Sequence, residues 1–546
     1  GSVSTNSQSG VWTRLVGGNA SGIWGTNANW SGGTVATGTG AVADFTANNI
    51  TVNSIITNET ARTIGSLRFN NTTAGRFWDV DGGADRQLTL TASNGQPSIN
   101  VTNTQVFLGG FNGTQGFVKN GNGLLNIFGS TYNNLVSGPI QVTAGSLTTA
   151  SGNAFKHITG DVTVAAGATF GANANFDGAT LSNDIYLNGT GVGMPPGYVN
   201  SNTSIPSSPT ADVYNASTMP WGALDIYGNA TLNGTITLNT DSKITHSWNF
   251  GTINGPIIAT GAGKNLELRT YQSSQQDLII NGSMSLGTGA LTITGTGNQG
   301  VRLNNSNNFS GGIYLTAGIL KLGHADALGR GAVTISVGGG ATLDVSGLGS
   351  TFILGASQTL SNSASGTGII NGSLDASGGV VSVRYNNGTP ALTVSSGTLT
   401  LSGATAFTIN NTGSALAPGT YSIISTSGAG AVGGVSPATM NVQGGGLSGS
   451  ASASLEISGG TLNLVVANPV APTPTILPVY SDGMGNVAIR TETTAGYNYL
   501  LLSATNLTPP VVWITNNTTA GTGGIITNSV PVTSTPPNGF FRYFVQ

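Results

Sequence analysis

Gly138-Pro139-Ile140-Gln141-Val142-Thr143-Ala144-Gly145-Ser146-Leu147 returns further along the chain as Gly311-Gly312-Ile313-Tyr314-Leu315-Thr316-Ala317-Gly318-Ile319-Leu320. In both segments apolar residues alternate with polar ones and glycines bound the runs. That is the period-two signature of a short, half-buried strand. The likeness continues downstream. Gly160-Asp161-Val162-Thr163-Val164 matches Gly331-Ala332-Val333-Thr334-Ile335, and Gly167-Ala168-Thr169-Phe170 matches Gly340-Ala341-Thr342-Leu343. One strand-turn-strand unit cannot bury its apolar side alone. Stacked copies can, and they predict an all-β protein built on a parallel β-solenoid (a β-helix), with turns of roughly 22 residues.

The same alternation recurs at Leu88-Thr89-Leu90-Thr91, Leu291-Thr292-Ile293-Thr294 and Leu399-Thr400-Leu401-Ser402, and no stretch shows helical periodicity. Composition fits a stack. Of 546 residues, 16 are basic and 19 acidic, 6% in all, where a soluble domain averages roughly 25%. Identical charges on successive turns would repel, whereas Thr and Asn ladders can bond to each other. Glycine numbers 85, and cysteine is absent, which excludes disulfides and thiolate chemistry. A net charge of −3 with few cations argues against nucleic-acid binding. No apolar run is long enough for a membrane-spanning helix.

Gly121-Asn122-Gly123-Leu124-Leu125-Asn126-Ile127-Phe128-Gly129, then Tyr132, then Gly138–Leu147, resembles the autotransporter-associated β-strand repeat of secreted bacterial proteins. Gly297–Leu320 is a second, looser match. Gly22-Ile23-Trp24-Gly25-Thr26-Asn27-Ala28-Asn29-Trp30 is similar to the tryptophan-containing opening of large proteins that carry this repeat. The resemblance covers residues 20–465 and implies an extracellular β-helix. Many members precede an outer-membrane barrel, and the residues after 465 do not supply the alternating strands that a barrel needs.

The organisation expected is an N-terminal arm over 1–20, a solenoid over 21–467, a Pro-rich linker over 468–478 and a C-terminal β-sandwich-like domain over 479–546. Prolines 195, 196, 206, 209 and 220 mark 188–221 as an excursion from the wall, because a strand ladder cannot absorb them.

Candidates for chemistry are sparse. Asp79, Asp81 and Asp85 form a carboxylate cluster that could hold a hard cation, or a plain turn. His157, His246 and His324 are too scattered for a zinc pair. Asp161, Asp177 and Asp184, with Lys156 nearby, are the best candidates for polysaccharide chemistry, although they fall at turn-like positions. No cofactor is expected. Aromatic groups mark both ends: Trp12, Trp24 and Trp30, and Phe540, Phe541, Tyr543 and Phe544. They read either as caps on solenoid edges or as contacts between subunits.

These readings lead to a secreted, non-enzymatic structural subunit that polymerises with itself head to tail. Val11, Trp12 and Leu15 would meet Phe540, Phe541, Tyr543 and Phe544 of the next copy. The alternatives are a monomeric surface adhesin or glycan-binding rod and, further off, a polysaccharide-processing enzyme. A competing account of the arm has residues 1–16 cover the first turn of their own solenoid.

Overall fold

The computed structural model describes residues 7–81, 87–128, 134–149, 157–173, 180–192, 199–200, 212–213, 221–227, 229–271, 276–296, 299–362, 366–386, 388–449, 451–468, 471–532 and 539–546. The chain forms two compact units. The first comprises Gly1–Gly413, Ser422–Gly444 and Leu455–Asn463; the second comprises Ser414–Tyr421, Gly445–Ser454 and Leu464–Gln546.

The first unit is a three-faced parallel β-solenoid. One turn runs through Phe117–Asn120, Leu124–Ile127 and Leu135–Val136, and the next begins with Ile140–Val142 and Gly145–Thr149. The first face is a 12-stranded sheet from Gly10–Val11 to Asn308–Phe309. The second is a continuous parallel ladder from Gly22–Ile23 to Met440–Gly444. Short strands at Arg62–Ile64, Leu88–Leu90, Phe111–Gly113 and Leu135–Val136 open the third face. Its main ladder resumes at Thr180–Leu181. Beyond Phe309 the first face has no further strand among the described residues. Phe352–Ile353 and Leu374–Asp375 pair with each other instead, and Leu374–Asp375 pairs on with Leu399–Thr400.

Register explains the sequence repeat. On the second face Trp78, Val106, Leu125, Leu147, Phe170, Leu224 and Ile244 stand in one column, each directly paired with the next and each fully buried. The column continues through Leu268, Ile293, Leu315 and Val337. Alternate residues between them face outward. Ile313 and Leu315 are buried while Tyr314 between them is exposed, as the repeat predicts. The core is thus a set of aliphatic columns, each strand bonded to the turn before and after it.

Phe170 pairs directly with Leu224, so the ladder leaves out the whole 188–221 segment and resumes in register. Within that segment Val199–Asn200 and Asp212–Val213 form an antiparallel pair. The other residues of 193–220 lie outside the described set.

The first turn is plugged by aromatics. Trp12, Trp24, Trp30 and Phe45 are buried, with Trp12 edge-on to Trp30 at 5.1 Å and Phe45 stacked on Phe69 at 4.8 Å. Each indole N–H has a carbonyl acceptor: Ala20 for Trp12, Ala36 for Trp24 and Trp24 for Trp30. Gly10–Val11 pairs with Val42–Asp44, Gln8 exchanges backbone hydrogen bonds with Thr37, and Trp12 N–H donates to Asp44. Within the segment read as an arm, the described stretch from Gln8 to Trp12 therefore lies on its own first turn.

The second unit carries two three-stranded antiparallel sheets. One is ordered Ile476–Ser481, Asn486–Glu492, Ile525–Pro531; the other Ile514–Ala520, Asn498–Ala504, Phe540–Val545. Ile489, Tyr499, Leu501, Ile526, Tyr543 and Val545 form its core. Its first strand starts at Ile476, inside the stretch read as linker. The strand Ile514–Ala520 begins only some residues after Pro509 and Pro510, which have no N–H to give a ladder.

Candidate functional site

The interior of the solenoid leaves little room for chemistry. Its one inward-pointing lysine among the described residues, Lys119, stands in a first-face column with Leu67, Ile99, Val142 and Val164. Its ammonium donates to the carbonyls of Gly121 (2.5 Å), Gly123 (2.7 Å) and Ala144 (2.9 Å). Burial pushes its pKa down to about 7. The three acceptors match the three hydrogens of the charged form, so the lysine acts as a bolt across a corner. His246 also points inward, and burial lowers its pKa to about 4, which keeps it neutral.

On the second face the outward row includes buried polar side chains. Asp225 is paired in register with Thr245, which donates to Asp225 Oδ1 at 2.5 Å; Ser247 donates to Oδ2 at 2.7 Å. Burial raises the Asp225 pKa to about 7, against the pull of these two hydroxyls. In the same row Asp79 is buried, and loss of solvent, reinforced by the charge of Asp81, raises it to about 7. Asp85 lies outside the described residues. Among those described, no group of three acids, histidines or cysteines gathers around a common point. The carboxylate cluster is therefore represented only by a buried Asp79 beside Asp81.

The acids read as a possible polysaccharide site are partly placed. Asp161 and Asp184 precede paired strands on adjacent turns, and Asp184 Oδ1 accepts the Thr235 N–H at 2.7 Å. Lys156 and Asp177 lie outside the described residues. His157 is half-buried, and His324 Nδ1 accepts the Asp326 N–H.

A cleft of about 490 Å³ opens where the first face has ended, lined by residues that include Asp326, Arg330, Phe352, Ile353 and Gln358. Arg330 holds Asp326 by two bonds of 2.6 and 2.8 Å and keeps its carboxyl below the usual range. Gln358 is fixed to Gly329 and Gly355. The cleft has an ion pair and an exposed Ile353, but no nucleophile beside a free base among its lining residues. On the third face a second charged group gathers: Asp277 accepts from Lys321 at 2.8 Å and from the Gly300 N–H at 2.9 Å, with Arg302 at 3.5 Å.

The residues proposed for subunit contact divide by exposure. Trp12 and Tyr543 are buried in their own units, and Phe541 packs against the second unit's core. Val11, Leu15, Phe540 and Phe544 are exposed, as are Val16 and Ile23 near the solenoid's first edge. In the second unit Phe540 and Phe544 flank Arg542, whose guanidinium lies 4.2 Å from the Trp513 ring centroid. Val512 and Ile514 beside Trp513 are also exposed. Sequence reasoning missed Trp513 and Arg542 as a pair, since Trp513 precedes the strand Ile514–Ala520 and Arg542 lies in Phe540–Val545, far along the chain.

No family model matches the chain, and no solved structure matches it. The chain is similar to one curated protein, the Adhesin BmaC autotransporter of Brucella suis biovar 1 (strain 1330), at 32% identity over 145 residues. That stretch is 26% of this chain and 4% of the adhesin. The likeness and the parallel β-solenoid together fit a β-helix of the autotransporter type.

Proposed function

We propose that this chain is a secreted or cell-surface β-solenoid of the adhesin type, a non-enzymatic scaffold whose outer wall meets an external partner. The observation that carries the reading is the parallel solenoid together with the partial likeness to an autotransporter adhesin. The wall supports it. Its outward columns are mainly hydroxyl and amide side chains, which hydrogen-bond to neutral polar surfaces such as glycans without the desolvation cost of charges. Three of the carboxylates described above are engaged in structural bonds: Asp184 with a backbone N–H, Asp225 with two hydroxyls, Asp277 with two cations. The test immobilises the purified chain and probes it with a panel of polysaccharides and of eukaryotic and bacterial cells. Saturable binding that changes little with salt is expected, because few charges are present to be screened. Binding to nothing in the panel above a carrier-protein control, or turnover of a polysaccharide, would overturn the reading.

A second reading, head-to-tail assembly of copies, is favoured by one observation. Among the described residues the ladder edge at Gly22–Ile23 is paired on one side only, and Val11, Leu15, Val16 and Ile23 nearby are exposed. Negative-stain microscopy across a concentration series tests it: regular fibres support assembly, and separate particles at every concentration exclude it.

A further inference from the structure

Asn-Gly pairs recur through this chain, and the same pair is a chemically weak point of any polypeptide, asparagine being thermolabile. The backbone nitrogen of the glycine attacks the asparagine side-chain Cγ. The new C–N bond closes a succinimide ring, and the side-chain nitrogen leaves as ammonia. Water then opens the ring to aspartate or isoaspartate. The sum is asparagine plus water giving acid plus ammonia, with no oxidant or reductant. The reaction needs a side chain free to turn onto the next nitrogen, and a backbone N–H not held elsewhere.

Most described pairs fail at least one of these conditions. At one corner of the solenoid the amides of Asn233, Asn254, Asn281 and Asn304 form a ladder, each Nδ2 donating to the preceding Oδ1 at 2.8–2.9 Å. The following nitrogens of Gly255 and Gly282 donate to Leu232 and Ile253 of the turn before. Asn112, Asn188 and Asn371 have bonded side chains, as does Asn120. Asn122 is exposed, but the Gly123 N–H donates to Val101. Asn94-Gly95 differs. Ser93, Asn94 and Gly95 form an exposed bend, no hydrogen bond holds the Asn94 side chain or the Gly95 N–H among the described residues, and the space beside Gly95 is open to 4 Å.

We propose that Asn94 is a site of spontaneous deamidation in the folded protein, and that the solenoid stack protects the other described Asn-Gly pairs. The position has a structural consequence. Two residues on, Gln96 straps the turns: its Nε2 donates to Gln115 (3.0 Å) and Pro139 (2.8 Å), and its Oε1 accepts from Gln141 (2.7 Å). Isoaspartate at 94 adds a methylene to the main chain and a negative charge just ahead of that strap, which loosens it.

The test ages the full chain at mildly alkaline pH, folded and denaturant-unfolded in parallel. Peptide mass spectrometry and enzymatic isoaspartate labelling then read each Asn-Gly peptide. In the folded chain the Asn94 peptide is expected to convert at least about tenfold faster than those carrying Asn254 or Asn281, because only its backbone needs no local opening. In the unfolded chain the rates converge. Asn94→Gln removes the label from that peptide. The proposal is overturned if Asn254 or Asn281 keeps pace with Asn94 in the folded chain, or if folded Asn94 stays unconverted while the unfolded chain reacts.

Discussion

Asp225 has its two hydroxyl donors but no cation among its described partners, and burial holds its pKa at about 7. Its folded pKa lies above the unfolded value, so the folded chain keeps a proton that the unfolded chain has lost. The stability this proton contributes is complete below about pH 4 and is lost as pH rises to about 7. Asp225→Asn removes that dependence. Thermal melts from pH 4 to 8 should show a flatter profile for the variant, which matches or exceeds the parent at pH 8; an unchanged profile would mean that Asp225 does not titrate in this window. Leu315 tests the packing at the same scale. It is buried, with one neighbour in its column on each side, Ile293 and Val337. Leu315→Asp puts an unpaired carboxylate in the stack and should cost several kcal/mol, with Tyr314→Asp one residue away nearly silent. Equal melting of the two variants would mean that the register is wrong.

At the scale of the strand and its corner, the recurring Asn-Gly pairs have two separate causes. In the corner ladder each asparagine follows an inward aliphatic residue, as in Leu232-Asn233, Ile253-Asn254 and Ile280-Asn281, a row that Leu303-Asn304 continues without a glycine, and the amides of Asn254, Asn281 and Asn304 donate to the turn before. The glycine is required by space. A Cβ at Gly255 would lie 1.8 Å from the Gly234 carbonyl oxygen, and one at Gly282 would lie 1.9 Å from that of Gly255. Gly255→Ala should therefore force neighbouring turns apart and destabilise by roughly 1–3 kcal/mol. Asn281→Ala loses two exposed amide bonds, together about 1–2 kcal/mol at most, with no clash. Chemical denaturation of both variants checks the order. A larger loss for the asparagine variant would show that the ladder, not the close approach, holds the corner.

Over the whole molecule, a solenoid's stability is the sum of contacts between adjacent turns, so its ends are its weak points. Residues 8–12 cover the first turn, and Trp12 completes the plug with Trp30 and Phe45. Deletion of residues 1–16 should lower the melting temperature and expose Trp30 and Phe45, so that the truncated chain aggregates without order. Calorimetry and light scattering read both effects. A truncated chain that melts like the parent and stays monomeric would instead support an arm exchanged between copies.

Period-two alternation, scarce charge and a repeat of about 22 residues already required stacked parallel strands, because a strand with one apolar side can be buried only by its copies. The prolines of 188–221 and those near 468 can be read locally as well, because proline gives no N–H to a ladder, and the second-face ladder does pass from Phe170 directly to Leu224. The fate of single side chains was not. Trp12 looks like any aromatic on a polar arm until Val42–Asp44, some thirty residues on, provides the strand it lies against. Lys119 falls in an ordinary alternating run, and only the carbonyls of Gly121, Gly123 and Ala144 converging at one corner make its burial tolerable. Asp225 meets Thr245 and Ser247 only through the register of neighbouring turns. Alternation is a property of neighbours along the chain and can be read there. Burial of a charge or a ring depends on what the adjacent turn brings to the same height, and that is decided by the stack.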